Sequence, residues 1–148
     1  LMTFPGVPMV FAGDECGAVG RTGEESRISM DWDSMDNGDD AAMMEPYRSL
    51  LGLRRNHPAL RYGGLRWVHA DDDSFAFLRE TAEDRILVTA SRTDGKRMRV
   101  DSGCIGSGEP RLIYGEGRLE YSTQEAVFVH DRASVCFLRL EPVPIPRW

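Results

Sequence analysis

The residues of this chain that could perform acid–base chemistry are carboxylates gathered in its first third. The segment from Asp14 to Glu45 holds ten carboxylates and two arginines, a local net charge of −8. Acid–base catalysis by carboxyl groups needs a pair whose environments push their pKa values apart. Asp14 and Glu15 are adjacent, so on a strand their side chains would point to opposite faces. The other acids fall in a glycine-interrupted stretch where solvent keeps pKa values ordinary. The sequence therefore predicts no catalytic pair.

The cysteines and histidines do not have the spacing of a metal site. Cys16, Cys104 and Cys136 are an odd number, and neither Cys-x-x-Cys nor His-x-x-x-His occurs. Zinc sites need such paired ligands, so we expect no metal and no cofactor. Cys136 lies in the apolar run from Ser134 to Leu138, which predicts a buried side chain. Free thiols indicate a reducing compartment and favour the cytoplasm.

The overall composition excludes several classes of partner. The 148 residues include 24 acidic and 18 basic side chains, and 41% are hydrophobic. The acidic stretch would repel phosphate backbones, and the basic residues form no stripe, which argues against nucleic acid. No apolar run approaches the ~20 residues of a membrane span, so no membrane partner is expected. The start at Leu1 has no basic leader and lies inside an apolar segment, as expected for a piece of a longer protein.

One strand, one loop and one helix are expected to position the acidic stretch. The apolar run from Val7 to Ala12 predicts a strand that is buried on both faces. Residues 14–40 show no period and form a loop of the length that is usually functional. The spacing of apolar residues predicts a helix over Pro46–Asn56, with Ala41–Glu45 as a kinked extension. His57-Pro58 would end this helix.

After Gly63 the pattern changes to short strands separated by turns. Such strands, with a turn about every ten residues, predict an antiparallel sandwich or barrel. We therefore expect residues 63–148 to form an antiparallel β-domain. The predicted strands are 65–69, 74–79, 85–90, 96–100, 111–114, 117–121, 126–129 and 135–140.

Three segments, in this order, resemble the C-terminal part of α-amylase-superfamily enzymes (glycoside hydrolase family thirteen). Gly6–Glu15 looks like the Gly-x-Pro-x-x-x-x-Gly-x-Glu segment of the family's last barrel strand. Arg27–Asp33 is similar to the Arg-x-Pro-Met-x-Trp-Asp loop, although Ser29 stands where proline is usual. Tyr47–Leu60 resembles the final barrel helix and its His-Pro-Ala-Leu exit, although Pro46 stands where an aromatic or aliphatic residue is common.

The resemblance implies a fold, a domain division and an activity. Residues 1–62 would be the final strand, loop and helix of a truncated (β/α)8 barrel, and residues 63–148 the C-terminal β-sandwich. The family acts on α-glucosidic bonds with retention, through carboxylates that follow barrel strands four, five and seven. None of these strands is matched here, so this chain alone would be inactive and would act through its parent enzyme. The residues expected to support the sugar site are Glu15, Asp14, Arg27, Met30 and Trp32. Glu15 would either orient neighbouring groups or water at the end of its barrel strand, or accept a hydrogen bond from a buried arginine of an adjacent strand.

The partners implied are an α-glucan or oligosaccharide, bound through the parent enzyme, and the missing barrel portion. The loop pattern leans toward α-glucosidase-like or neopullulanase-like members. The alternative is a non-catalytic β-sandwich module that binds carbohydrate or a partner protein, with Trp67, Tyr62, Tyr114 and Tyr121 as stacking residues. In a chain studied alone, the Val7–Phe11 strand would lack its neighbours in the barrel. We expect it then to pair with another chain, to pack against the β-domain or to be poorly ordered, and pairing with another chain would be self-association.

Overall fold

The computed structural model describes residues 1–25, 27, 29, 32, 40–106, 108–121 and 125–142. Its helices are α1 (Asp40–Asn56), α2 (Pro58–Tyr62) and α3 (Ser102–Ile105). Its strands are β1 (Gly64–Ala70), β2 (Ser74–Glu80), β3 (Arg85–Ser91), β4 (Lys96–Val100), β5 (Arg111–Gly115), β6 (Arg118–Tyr121), β7 (Ala126–His130) and β8 (Ser134–Leu140). A short 3-10 turn, Asp14–Cys16, precedes them.

The strands form two antiparallel sheets with a core between them. One sheet has the order β1-β2-β3-β8-β5 and the other the order β4-β7-β6. The predicted antiparallel β-sandwich is therefore confirmed. The pleat sends alternate residues of each strand to the shared interior. The buried core between the sheets consists of Ala76, Leu78, Leu87, Met98, Val100, Ile105, Ala126, Phe128, Cys136, Leu138 and Leu140.

The outer face of the five-stranded sheet is buried as well, under α2. Ala59 and Leu60 of α2 pack against Phe77, Ile86 and Phe137 of the sheet. Because both faces of its central strands are covered, β3 is buried along most of its length. Through α2, residues from before the predicted boundary at residue 63 contribute to the hydrophobic packing of the β-domain.

Each of the eight predicted strands occurs, with bounds that differ by at most one residue at either end. Alternating apolar residues and turn-forming dipeptides gave strong local signals for these strands. The short helix α3 was not predicted, because Gly103 and Gly106 indicate a turn. The carboxylate of Asp101 accepts a hydrogen bond from the Gly103 N–H at 2.8 Å and caps this helix.

Helix α1 includes both the predicted helix Pro46–Asn56 and the predicted extension Ala41–Glu45. It begins at Asp40 and includes Pro46 in its interior, so the expected extension is helical. It ends at Asn56, where His57 adopts an extended conformation with φ −113° and ψ 106°. Pro58 then opens α2, a position at which its missing N–H costs nothing. The prediction that His57-Pro58 ends the helix is thus confirmed.

The prediction of a buried strand at Val7–Ala12 is wrong for this chain. The segment belongs to no strand of the structure, and the side chains of Val7 and Met9 are 95% and 78% exposed. A strand exists only when a neighbouring strand accepts and donates its backbone hydrogen bonds. The described strands pair with one another within residues 64–140, and none of them pairs with Val7–Ala12.

Candidate functional site

The acidic stretch begins with a tight turn that is built by two glycines. Gly13 and Gly17 both have left-handed backbones, with φ of 102° and 71°, which non-glycine residues adopt only with strain. Between them Asp14–Cys16 forms the 3-10 turn. The carboxylate of Glu15 accepts a hydrogen bond from the backbone N–H of Gly13 at 2.9 Å. The turn packs against α1.

The structure gives Glu15 a local partner in place of the expected ones. Sequence reasoning weighed a role in orienting neighbours or water against acceptance from a buried arginine of an adjacent strand. In the described part of the chain the Glu15 carboxylate is half-buried and bonds to its own turn, while Asp14 is exposed. A role for these two carboxylates at a sugar site stays a prediction.

The loop that follows encloses a shallow cleft. Val19, Gly20, Arg21 and Glu25 line a cavity of about 430 Å³. The Glu25 carboxylate accepts a hydrogen bond from the Arg21 N–H at 3.0 Å, and the Glu25 N–H donates to the Thr22 hydroxyl at 3.2 Å. These bonds hold the loop in shape, and Arg21 is one of the residues that line the cleft.

The two remaining predicted site residues that the structure describes, Arg27 and Trp32, are both exposed. Arg27 is exposed, and its backbone N–H donates to the carbonyl of Glu24 at 3.0 Å. Trp32 is 68% exposed. Met30 lies outside the described residues. Among those described, no hydrogen bond or ion pair joins the side chains of Glu15 and Arg27.

Two carboxyl groups of the β-domain have environments that suit ion pairing. A hydrogen bond from Lys96, at 2.8 Å, holds the pKa of the Asp71 carboxyl far below its usual value. Burial alone would raise the pKa of Glu80, but hydrogen bonds from Arg66 and Arg85 outweigh it and lower that pKa. A general acid needs the opposite shift, because it must hold its proton near neutral pH.

A serine, a histidine and an aspartate meet at the β1–β2 turn, but not as a catalytic triad. The same ring nitrogen of His69, Nε2, lies 3.0 Å from Asp71 and 3.3 Å from the Ser74 hydroxyl. The Ser74 hydroxyl also donates to Asp71 at 3.0 Å. A triad needs the acid on one ring nitrogen and the nucleophile on the other. This cluster therefore stabilises the turn.

Sequence reasoning missed Asp84, a buried carboxylate with three partners. It is buried, and its oxygens lie 3.2 Å from His57 Nδ1 and 3.3 Å from Arg139 Nε. It also accepts a hydrogen bond from the backbone N–H of Ala59 at 3.2 Å. Asp84 thus ties the start of α2 to the sheet. The isolated His57-Pro58 pair was the available sequence signal, and it carried no information about a partner 27 residues away.

Two titratable groups lie within the sandwich and are unsuited to reaction with solutes. Burial lowers the pKa of His130, whose ring nitrogens lie 2.7 Å from the Ser134 hydroxyl and 3.1 Å from the Thr89 hydroxyl. Burial raises the pKa of the Cys136 thiol to about 12. Cys136 is a buried side chain, as predicted.

The described residues contain no cluster of three metal-ligating side chains, and none of their helices could span a membrane.

The aromatic side chains considered for sugar stacking differ in exposure. Trp67, on edge strand β1, is 51% exposed, and Tyr62 at the end of α2 is also exposed. Tyr114 is half-buried, with its ring centroid 5.1 Å from that of Phe137. The side chain of Tyr121 lies outside the described part of the chain. Trp67 and Tyr62 are therefore the two of these aromatic side chains that the structure leaves open to a ligand.

Comparison with known proteins finds similar sequences among enzymes that are named for action on α-glucans. The chain is 34% identical over 104 residues to a cyclomaltodextrinase of Bacillus sp, a match that covers 68% of this chain and 18% of that protein. It is 30% identical over 98 residues to neopullulanase 2 of Thermoactinomyces vulgaris, covering 65% of this chain and 16% of that one. No family model matches the chain.

Solved structures share its fold. The debranching enzyme from Nostoc punctiforme superposes with a TM-score of 0.75 at 23% identity, over 93% of this chain and 29% of that one. An α-amylase from H. orenii gives a TM-score of 0.72 at 18% identity, over 95% of this chain and 33% of that one. The chain spans only 18% and 16% of the lengths of the cyclomaltodextrinase and the neopullulanase named above.

Proposed function

We propose that this chain is part of an enzyme acting on α-glucosidic bonds, because it is the counterpart of the C-terminal part of α-amylase-superfamily enzymes (glycoside hydrolase family thirteen). The observation that carries the proposal is the 34% identity to a cyclomaltodextrinase over 104 residues. The substrate would be an α-glucan or oligosaccharide of the kind that cyclomaltodextrinases and neopullulanases accept. The missing barrel portion would be the main partner of this chain.

We propose further that the chain by itself is not catalytic. Retaining cleavage of an α-glucoside needs a nucleophilic carboxylate and a protonated acid about 5–5.5 Å apart. Several described carboxylates are engaged in other ion pairs, among them Asp84 with His57 and Arg139, and Glu80 with two arginines. The residues expected to support the site of the longer enzyme remain Glu15, Asp14, Arg27, Met30 and Trp32.

Hydrolysis assays test this proposal directly. We expect the purified chain to release no nitrophenol from nitrophenyl α-glucoside and no reducing sugar from a cyclomaltodextrin, because it lacks a catalytic pair. A cyclomaltodextrinase assayed in parallel provides the positive control. Robust turnover by the sequence-verified chain would refute the proposal that the chain by itself is not catalytic. The coding sequence upstream of Leu1 should encode barrel strands that carry the catalytic acids, and a different kind of domain there would contradict the proposal.

A second candidate function is carbohydrate binding by the β-domain. The 51% exposure of Trp67 on an edge strand favours it, because an exposed indole can stack on a sugar ring. Calorimetric titration with maltooligosaccharides distinguishes the two functions. A heat of binding that the unsubstituted chain shows and the Trp67→Ala variant lacks would support carbohydrate binding by the β-domain. No heat at millimolar ligand would count against it.

A further inference from the structure

Two buried arginines from different elements hold the first residues of the chain. Arg54, in the last turn of α1, donates to the carbonyls of Met2 at 2.8 Å and Phe4 at 3.0 Å, and also to that of Gly6. Arg79, on β2, donates to the carbonyl of Thr3. Its other terminal nitrogen donates to the carbonyl of Gly63 at 2.8 Å, where α2 meets β1.

The two guanidinium groups have unusual partners for buried charges. Neither Arg54 nor Arg79 forms an ion pair with a carboxylate of the described residues; their partners are main-chain carbonyls. Burial, together with the nearby charge of Arg54, lowers the pKa of Arg79. The Nε of Arg79 is buried without a hydrogen-bond partner. Placing two like charges here opposes folding unless the carbonyls that they bind are fixed in position.

Alternate backbone carbonyls at the start of the chain accept hydrogen bonds from different arginines. Carbonyls two residues apart, at Met2, Phe4 and Gly6, turn toward Arg54, whereas the intervening Thr3 carbonyl turns toward Arg79. Both arginines bind backbone and not side chains, while the side chain of Met2 is buried and the ring of Phe4 contacts those of Trp67 and Phe77. Val7 and Met9, which follow directly, remain exposed.

We propose that Arg54 of α1 and Arg79 of β2 are positioning residues. They form a seat that holds residues 2–6 against these two elements and so fix the point from which the apolar segment 7–11 extends. The seat prepares that segment to pair with a neighbouring barrel strand, a role that rests on the function proposed above. Arginine suits this task because its planar fork binds several carbonyls at once, which a lysine cannot do.

Oxidation of three native methionines by hydrogen peroxide, followed by peptide mass spectrometry, tests the seat in the chain as it stands. Met2 lies within the seat and is 5% exposed, Met9 lies beyond it, and Met98 is buried in the sandwich core. We expect Met2 to oxidise at least ~10-fold more slowly than Met9, because oxidation tracks local opening. Arg54→Gln and Arg79→Gln should raise the Met2 rate to that of Met9 and leave Met98 protected.

Arg55→Gln is the matched control, because Arg55 neighbours Arg54 on α1 but is exposed, and it should leave Met2 protected. If a glutamine variant exposes Met98 and so unfolds, Arg54→Lys and Arg79→Lys take its place, with the same expected release of Met2. Equal oxidation rates of Met2 and Met9 in the unsubstituted chain would overturn the proposal. A Met2 that stays protected in variants that remain folded would overturn it as well. These outcomes are independent of the hydrolysis assays, so each proposal can fail alone.

Discussion

At the scale of single residues, the structure depends on buried charged groups that each bind several partners. Asp84 is the clearest case, since one buried carboxylate serves an imidazole, a guanidinium and a backbone N–H. Such a group binds elements that are distant in sequence, and its removal leaves donors without acceptors. Exposed ion pairs, such as that of Arg92 with Asp73, have water as an alternative partner.

Asp84→Asn should therefore destabilise the chain by about 2–3 kcal/mol, because it removes the charge that His57, Arg139 and Ala59 share. Urea denaturation followed by circular dichroism measures the change in the free energy of unfolding. Asp73→Asn is the matched control and should cost under about 1 kcal/mol. Equal losses for the two variants would show that Asp84 does not anchor α2.

His130 should make the stability of the chain depend on pH. Its folded pKa lies below the ordinary 6.5 because the imidazole is buried. As pH falls through 6.5 the unfolded chain takes up a proton that the folded chain does not, so the free energy of unfolding decreases. The loss stops once pH passes below the folded pKa. Glu80 contributes in a separate window, since its stabilisation is present above about 4.5 and is lost only at lower pH.

Comparison of unfolding free energies at pH 8 and pH 5 measures this effect. His130→Gln keeps hydrogen-bonding groups near Thr89 and Ser134 but cannot be protonated. The variant should therefore lose less stability between pH 8 and pH 5 than the unsubstituted chain. An identical pH dependence in both proteins would assign the effect to other groups.

At the scale of elements, α1 contains a local conflict that the fold overrides. Pro46 lies within the helix, where it removes a backbone hydrogen bond and crowds the preceding turn. The helix continues through it because packing determines helix stability more than propensity does. Residues 50 and 53 of the same helix are leucines that pack against the cluster on the outer face of the sheet.

Pro46→Ala should stabilise the chain by about 1–3 kcal/mol and increase its helical circular dichroism, since it restores the missing N–H and relieves the clash. Gly52→Ala in the same helix is the comparison, because a Cβ there meets nothing within 4 Å. It should stabilise by about 1 kcal/mol, through propensity alone. A smaller gain for Pro46→Ala than for Gly52→Ala would mean that α1 is already broken at residue 46.

At the scale of the whole molecule, the two sheets of the β-sandwich share a buried core, whereas the N-terminal segment leaves apolar side chains in solvent. Val7 and Met9 follow the residues held by Arg54, and they are among the most exposed large apolar residues of the described chain. Exposed apolar segments with free backbone groups tend to associate. The segment therefore differs from the rest of the fold in lacking a partner within it.

Sedimentation velocity should detect concentration-dependent self-association of the chain, and a Val7→Ser, Met9→Ser double variant should reduce it. Val19→Ser is the matched control, because Val19 is equally exposed but lies in the loop beyond the Asp14–Cys16 turn. A chain that stays monomeric at all soluble concentrations would contradict the expectation that Val7–Phe11 mediates association.

The sequence by itself determined those features whose cause is local. Alternating apolar residues, such as Phe75 and Phe77, and turn signals, such as Thr93-Asp-Gly95, were enough for the eight strands, and His57-Pro58 was enough for the end of α1. The ordered family-like segments were enough for the relationship to α-amylase-superfamily enzymes. The burial of Cys136 also followed from its neighbours in sequence.

Only the tertiary structure decided the features that depend on residues far apart in the chain. The partners of Asp84, the seat formed by Arg54 and Arg79, and the cover that α2 provides arise from contacts across 16 to 76 positions. The Val7–Ala12 segment shows the same principle in reverse. Its apolar run is typical of a buried strand, yet a strand requires neighbours to share its hydrogen bonds, and the described part of this chain supplies none.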